Sequence, residues 1–293
     1  MHNRKIELEI DHWQILEDVP SASGVVKWRD DFYAIGDDSP YLFQLDSEFK
    51  VVSKRLIYSA EKLEGSTLPK FYKPDFEAME MISSNEIFVF GSGSKSPERD
   101  VCVLVELGTE MKHTEYDISL FYYYLRNLEI MQGFELDIEA LGMHGEVLYL
   151  FNRGRNLIFS FSLTDFLSYC KTGTDFPIPK VNLFSLPKIQ GLEAGFSGAT
   201  TFGNSIVFTA AVEDAPNAYE DGEILGSFLG LIEIKSGEVS DEIRIDALPD
   251  LGFPLKVESV AVSRVISESE IEVVLVTDND GEPSEVIQMR IRF

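Results

Sequence analysis

A short pattern recurs five times along this chain. A small or acidic residue opens one strand, a turn follows, and a strongly apolar strand then ends in polar residues. The clearest copy is Asp137-Ile-Glu139-Ala-Leu141, then Val147-Leu-Tyr-Leu-Phe151, then Asn152-Arg153-Gly154-Arg155. The opening positions are Ser23, Glu77, Glu139, Ser197 and Glu258, separated by 54, 62, 58 and 61 residues. A fixed period of roughly 60 residues marks an array or a propeller rather than two unrelated domains.

Each copy supplies about four strands. The first runs from Ser23-Gly-Val-Val-Lys-Trp28 through Phe32-Tyr-Ala-Ile35, Tyr41–Leu45 and Val51–Ile57. The second contains Phe76–Met81, Glu86–Phe90 and Val101–Val105, with a fourth strand expected near Tyr116 to Leu120 and a short helix possible over Phe121–Leu125. The third continues with Leu157–Phe161, a helical turn over Thr164–Lys171, and Lys180–Phe184. The fourth comprises Phe196–Phe202, Ser205–Ala211, Phe228–Ile234 and Glu242–Ile245, with an acidic loop from Glu213 to Glu223. The fifth has only three strands: Val257–Val262, Ile271–Val276 and Val286–Ile291. The alternating stretch Lys5-Ile-Glu-Leu-Glu-Ile10 is the natural fourth. Pairing the two termini in one blade removes the open edge of a linear array. The expectation is an all-β, five-bladed β-propeller forming one domain over residues 1–293. A six-bladed ring would need a cryptic blade in residues 100–130.

In a propeller the first strand of each blade lines the axis, so Ser23, Glu77, Glu139, Ser197 and Glu258 should face one another. Three converging carboxylates cannot all stay ionised without compensation. One answer is a bound cation, and an all-oxygen set suits calcium better than zinc. The other is that these side chains bind backbone N–H groups and rivet neighbouring blades. The ends of the second strands bring Asp37, Asp38, Ser92, Arg153, Arg155, Glu213, Asp214 and Asp278 to the same face, because antiparallel hairpins place the start of one strand beside the end of the next. The two arginines match a phosphate or carboxylate bidentately. The acidic and small residues are also ordinary turn formers.

Net charge narrows the partners. At -25 the chain lacks the Lys and Arg clusters that nucleic acids or anionic membranes demand. An anionic small molecule needs a metal or local arginines to reverse the sign. Two cysteines, Cys102 and Cys170, are too few for a disulfide framework, and four scattered histidines show no metal spacing. Gly91-Ser-Gly-Ser94 is not followed by the Lys-Ser/Thr of a P-loop, and no G-x-S-x-G elbow is present. The N-terminus lacks a signal-like apolar run, and no segment approaches a membrane span, so a cytoplasmic location is expected.

The order Ser, Glu, Glu, Ser, Glu at the five innermost strands resembles the calcium-activated nucleotidases of the apyrase family. The likeness extends to Asp37-Asp38, Gly91-Ser92 and the pair Arg153 and Arg155. It departs at Ser39-Pro40, where the family has Arg-Thr, and at Gly154, which splits the arginines. The openings Phe76-Glu77-Ala78 and Ile138-Glu139-Ala140 also resemble phytase-like esterase propellers, and the chain is similar to uncharacterised bacterial propellers related to both. The resemblance implies a central calcium held by Ser23, Glu77, Glu139, Ser197 and Glu258. It implies hydrolysis of phosphate esters or anhydrides, with Arg153, Arg155 and Ser92 on the phosphate and Asp37, Asp38, Glu213 or Asp214 orienting water. Two other readings remain: a non-catalytic binding propeller with a structural calcium, and a sugar hydrolase with paired carboxylates.

Overall fold

The computed structural model describes residues 6–59, 63–215, 222–249, 251–279 and 283–293. Five four-stranded antiparallel sheets form five blades. Their innermost strands are Ala22–Trp28, Phe76–Met81, Ile138–His144, Gly195–Phe202 and Val257–Ser267. Each packs beside the next, and the fifth packs against the first, closing the ring. The fifth blade is completed by Glu7–Ile15, which pairs antiparallel with Glu285–Arg292. Arg290 and Arg292 reach back to Glu9, each at 3.3 Å, across this closure. Residues 100–130 hold no sixth blade. Val101–Glu106 and Lys112–Asp117 are the outer strands of blade two, and the helix Ser119–Arg126 (α1) follows.

The burial pattern explains the composition of the strands. Second strands such as Glu86–Gly91 and Val147–Asn152 are buried on both faces because a blade lies on either side. They therefore read as continuous apolar runs rather than alternating ones. Outermost strands are mostly exposed, as in Lys112–Asp117. That exposure is why the fourth strand of blade two begins earlier than the sequence suggests: Lys112-His-Thr-Glu carries no apolar signature. Five apolar cores result, one in each seam between adjacent blades.

The seam between blades two and three is thickened by α1 and by Leu163–Thr172 (α2): Phe166 of α2 packs on Phe88 and Phe90, and Phe121 of α1 packs on Phe166. The α2 sequence carries its own ends. Ser162 accepts a hydrogen bond from the Asp165 N–H at 3.2 Å, and Gly173 terminates the helix at φ 72°.

One local feature repeats in all five blades. The register of each innermost hairpin shifts between Ala22 and Gly24, Phe76 and Ala78, Ile138 and Ala140, Phe196 and Gly198, and Val257 and Ser259. The residue inside each shift is Ser23, Glu77, Glu139, Ser197 or Glu258. The repeated position is thus a β-bulge, a device that re-aims one side chain out of the ladder.

Candidate functional site

The glutamates at three of the bulges, Glu77, Glu139 and Glu258, line a cavity of about 790 Å³, a size typical of small-molecule sites. Among the described residues, ten carboxyl groups line it: Asp37, Asp75, Glu77, Glu135, Asp137, Glu139, Glu193, Glu213, Glu258 and Asp278. Six cations face them: Lys70, Lys73, Arg99, Arg153, Arg155 and Lys256.

On the side of blades one and two, Lys73 is paired with Asp37 and lies 2.8 Å from Asp75. Asp75 also pairs with Arg99 and accepts from the Ser92 hydroxyl. Asp37, Asp75 and Glu77 each offer an oxygen, all within 4.8 Å of one another. This is an acidic triad able to hold a cation, and its all-oxygen chemistry fits a hard one. The Lys73 ammonium competes for two of its three members.

On the side of blades three to five, Arg153 spreads across the axis. Its Nη1 lies 3.2 Å from Glu139 Oε2 and 3.8 Å from Glu258 Oε1, and its Nη2 lies 3.1 Å from Glu213 Oε2. Lys256 stands 3.6 Å from both Glu213 and Glu258 and 3.9 Å from Asp278. Gly195 makes this possible, since a Cβ there would lie 2.4 Å from Arg153 Cγ. The hairpin expectation that Glu139 and Arg153 share one edge is met by this contact.

Proton affinity follows the surplus of carboxyls. Burial pushes Glu139 up to about 8, with Asp137 adding to the rise and Arg153 opposing it. Burial likewise takes Glu258 to about 8 against the pull of Lys256 and Arg153, and Asp137 to about 7 against Arg153. Glu77 is raised by burial and then by Glu139. Burial works against charge on Arg153 and Lys256, but the surrounding carboxylates outweigh it and hold both cations above their ordinary values. Near neutral pH the site therefore holds fixed cations together with carboxyls that carry protons.

The residues singled out from sequence fall into three groups. Glu77, Glu139, Glu258, Asp37, Arg153 and Glu213 converge on the cavity, and Arg155 lines its mouth, bonded to the Ile130 carbonyl. Ser23 and Ser197 are buried rivets. Ser23 Oγ donates to the Phe76 carbonyl and Ser197 Oγ to the Val257 carbonyl at 2.6 Å, in each case the residue before the next blade's bulged glutamate. Ser92 lies beneath Asp75. Asp38 is outside the lining, its carboxyl raised to about 6 by burial and by Asp37. Asp214 is exposed, in register with Glu223. Within the acidic loop, residues 216–221 lie outside the described residues.

Asp75, Asp137 and Lys256 escaped the sequence reading, yet a signal was present. Each stands two residues before a bulge, where a strand returns to the same face; Gly195 occupies that position in blade four. Lys73 stands four residues before Glu77. Arg99 lies in a loop with no repeated counterpart.

The profile of a family of unknown function (DUF6929) matches residues 18–291. No curated protein matches the sequence. The crystal structure of Myxococcus xanthus glutaminyl cyclase superposes with a TM-score of 0.56 at 10% identity, covering 98% of this chain and 97% of that one. An exo-1,5-alpha-L-arabinanase from a bovine ruminal metagenomic library gives 0.48 at 8% identity, covering 92% of each chain. At such identity the likeness is one of fold. No helix among the described residues is long and apolar enough to cross a membrane.

Proposed function

We propose that this chain, which belongs to the DUF6929 family, is an enzyme that uses the carboxyl groups of its axial cavity as general acid and base on a small, polar, unphosphorylated substrate. The observation that carries this reading is the arrangement at Arg153. Glu139 and Glu258 meet one guanidinium nitrogen from two blades, both buried and both titrating near 8. A carboxyl that keeps its proton at neutral pH can deliver it to a leaving oxygen or nitrogen. Glu213, held by Arg153, or Asp278, beside Lys256, serves as the partner that accepts a proton from water. The two fixed cations stabilise negative charge developing on the substrate. The reaction class is hydrolysis of a C–O or C–N bond.

A second reading draws on Asp37, Asp75 and Glu77. Calcium held there would supply Lewis-acid polarisation of a phosphate ester or anhydride. Arg153 and Arg155 would hold the anionic phosphoryl oxygens. A non-catalytic binding propeller is the outcome if neither chemistry is found.

The test is a turnover screen of aryl glycosides, amino-acid arylamides and aryl phosphates, each run with calcium and with chelator. The first reading expects a glycoside or arylamide to turn over regardless of chelator, with at least a 100-fold loss in Glu258→Gln, the scale on which general acids contribute. Calcium-dependent phosphate release sinks it in favour of the second.

A further inference from the structure

Away from the axial cavity, the chain's two cysteines come from different blades and meet in one core. Cys102 lies on Val101–Glu106, the third strand of blade two, and is fully buried. Cys170 lies on α2, between the third and fourth strands of blade three. The helix period dictates their approach. Phe166 packs on Phe90 with ring centroids 5.4 Å apart, and Phe90 is in register with Cys102 on the neighbouring strand. Cys170 stands four residues after Phe166, one turn further along the same helix face, which carries it to Cys102. The two thiols interact directly, within the apolar core that fills this seam. Their access to solvent differs: Cys102 is sealed, whereas Cys170 is half-buried. Burial raises the proton affinity of the Cys102 thiol, and Cys170 adds to the rise. A sealed thiol of that kind is inert towards a dissolved oxidant. Cys170 is the sulfur that solvent reaches. Neither cysteine is among the described residues that line the axial cavity.

We propose that Cys102 and Cys170 are a redox-responsive pair, which a peroxide closes into a disulfide that locks blade two to blade three. The Cys170 thiolate attacks one peroxide oxygen. The O–O bond breaks, a sulfenic acid forms, and the departing hydroxide takes up the thiol's proton as water. The Cys102 sulfur then attacks the Cys170 sulfur. The S–S bond forms, the S–O bond breaks, and the Cys102 proton leaves with that hydroxide as a second water. Two thiols lose two electrons in all, and one peroxide gains them. Cys102 is thus the resolving partner, and its place against Cys170 makes the second step intramolecular. The bond closes a loop over residues 102–170, long enough to restrict the unfolded chain substantially.

The test treats the reduced full chain with hydrogen peroxide, then maps its peptides by mass and measures its melting temperature. Expected are a cross-linked Cys102–Cys170 peptide, loss of both free thiols, and a melting temperature higher by at least about 4 °C, the scale for closing a loop this long. Dithiothreitol should restore both thiols and the lower melting temperature. Cys102→Ala should leave Cys170 as a sulfenic acid that dimedone traps, with no gain in melting temperature. If that buried variant does not fold, Cys170→Ser at its half-buried position decides: Cys102 must then keep its thiol under the same treatment. The proposal is overturned if peroxide leaves both thiols intact, if Cys170 alone is oxidised in the wild-type chain, or if the disulfide joins two chains. It is also overturned if the bond forms without raising the melting temperature, if dithiothreitol fails to reopen it, or if Cys102 is oxidised in Cys170→Ser.

Discussion

The two sides of the cavity use the same repeat positions to opposite ends. On blades one and two, Asp75 sits two residues before a bulge and is closed in by Lys73, Arg99 and Ser92. On blades three to five, Lys256 occupies the equivalent position, and its contacts and those of Arg153 run from 3.1 to 3.9 Å. Among the described residues, Glu258 Oε2 there has no hydrogen-bond partner. The first side is the more tightly paired, with Lys73 and Arg99 both on Asp75, although Asp37 Oδ1 and Asp38 Oδ1 have no hydrogen-bond partner among the described residues. The second leaves charge to be met by protons or a ligand, which is where chemistry belongs.

The sharpest way to break this contrast is to remove one carboxyl from each side. Asp75→Ala strands the buried cations Lys73 and Arg99, and removing one partner of a buried pair costs about 3–5 kcal/mol. Glu258→Gln replaces a carboxyl that keeps its proton near neutral pH with a neutral amide of the same shape, so its cost should stay within about 1 kcal/mol. Urea unfolding of the two variants measures both. Equal costs would mean that the two sides are one continuous network and that the division is artificial.

The pH dependence of stability sharpens the same point. Glu139 and Glu258 rise from 4.5 to about 8 in the folded chain, and Asp137 from 3.8 to about 7. The native state thus holds protons that the unfolded chain has released. Their contribution to stability is fully present below the unfolded values and is lost as pH rises through the folded ones. Between about pH 5 and 8 this lowers stability by up to about 1.4 kcal/mol per pH unit for each proton retained. Glu258→Gln should flatten that slope by nearly one proton, whereas Lys50→Met on the exposed surface should leave it alone. An unchanged slope in Glu258→Gln would place its proton affinity in the ordinary range and remove the basis for its role as acid.

Sequence alone carried the ring, the terminal closure and the bulged position, because a period of backbone geometry leaves a period in residue type. Ser23 and Glu77 mark the same bulge although one rivets a carbonyl and the other faces a cavity. What the repeat could not convey is pairing. Nothing local says that Arg153 turns toward Glu139, Glu213 and Glu258 while Arg155 turns outward to the Ile130 carbonyl. That choice is set by the room left at Gly195, some forty residues away along the chain. Asp75, Asp137 and Lys256 were missed, although their place two residues before the repeated position carried a usable signal. Lys73 and Arg99, in connections without counterparts, carried no such signal.

Lys73 allows the cation question to be put as a difference rather than an absolute. Its ammonium already sits on Asp37 and Asp75, two members of the acidic triad. Lys73→Met removes that competitor, so calcium affinity should rise at least tenfold, about 1.4 kcal/mol, read as a calcium-dependent rise in melting temperature. The wild-type chain should respond far less. A strong response in both would show that Lys73 yields readily to the metal, and the calcium-dependent reading would then gain the ground that the contrast denies it.

The smallest expected effect concerns the two serines. Ser23→Ala and Ser197→Ala each delete one hydroxyl that donates to a buried carbonyl, of Phe76 and Val257 respectively. The net loss for such a bond is about 1 kcal/mol, and Ser197→Ala should cost slightly more because its Oγ also lies 3.1 Å from Thr209 Oγ1. Both carbonyls immediately precede a cavity glutamate, Glu77 in one case and Glu258 in the other. If the serines act only as rivets, any calcium response survives in both variants while both urea midpoints fall. If Ser23→Ala abolishes a calcium response while Ser197→Ala does not, the hydroxyl of Ser23 belongs to a metal site, and the blade-one side is more than scaffold.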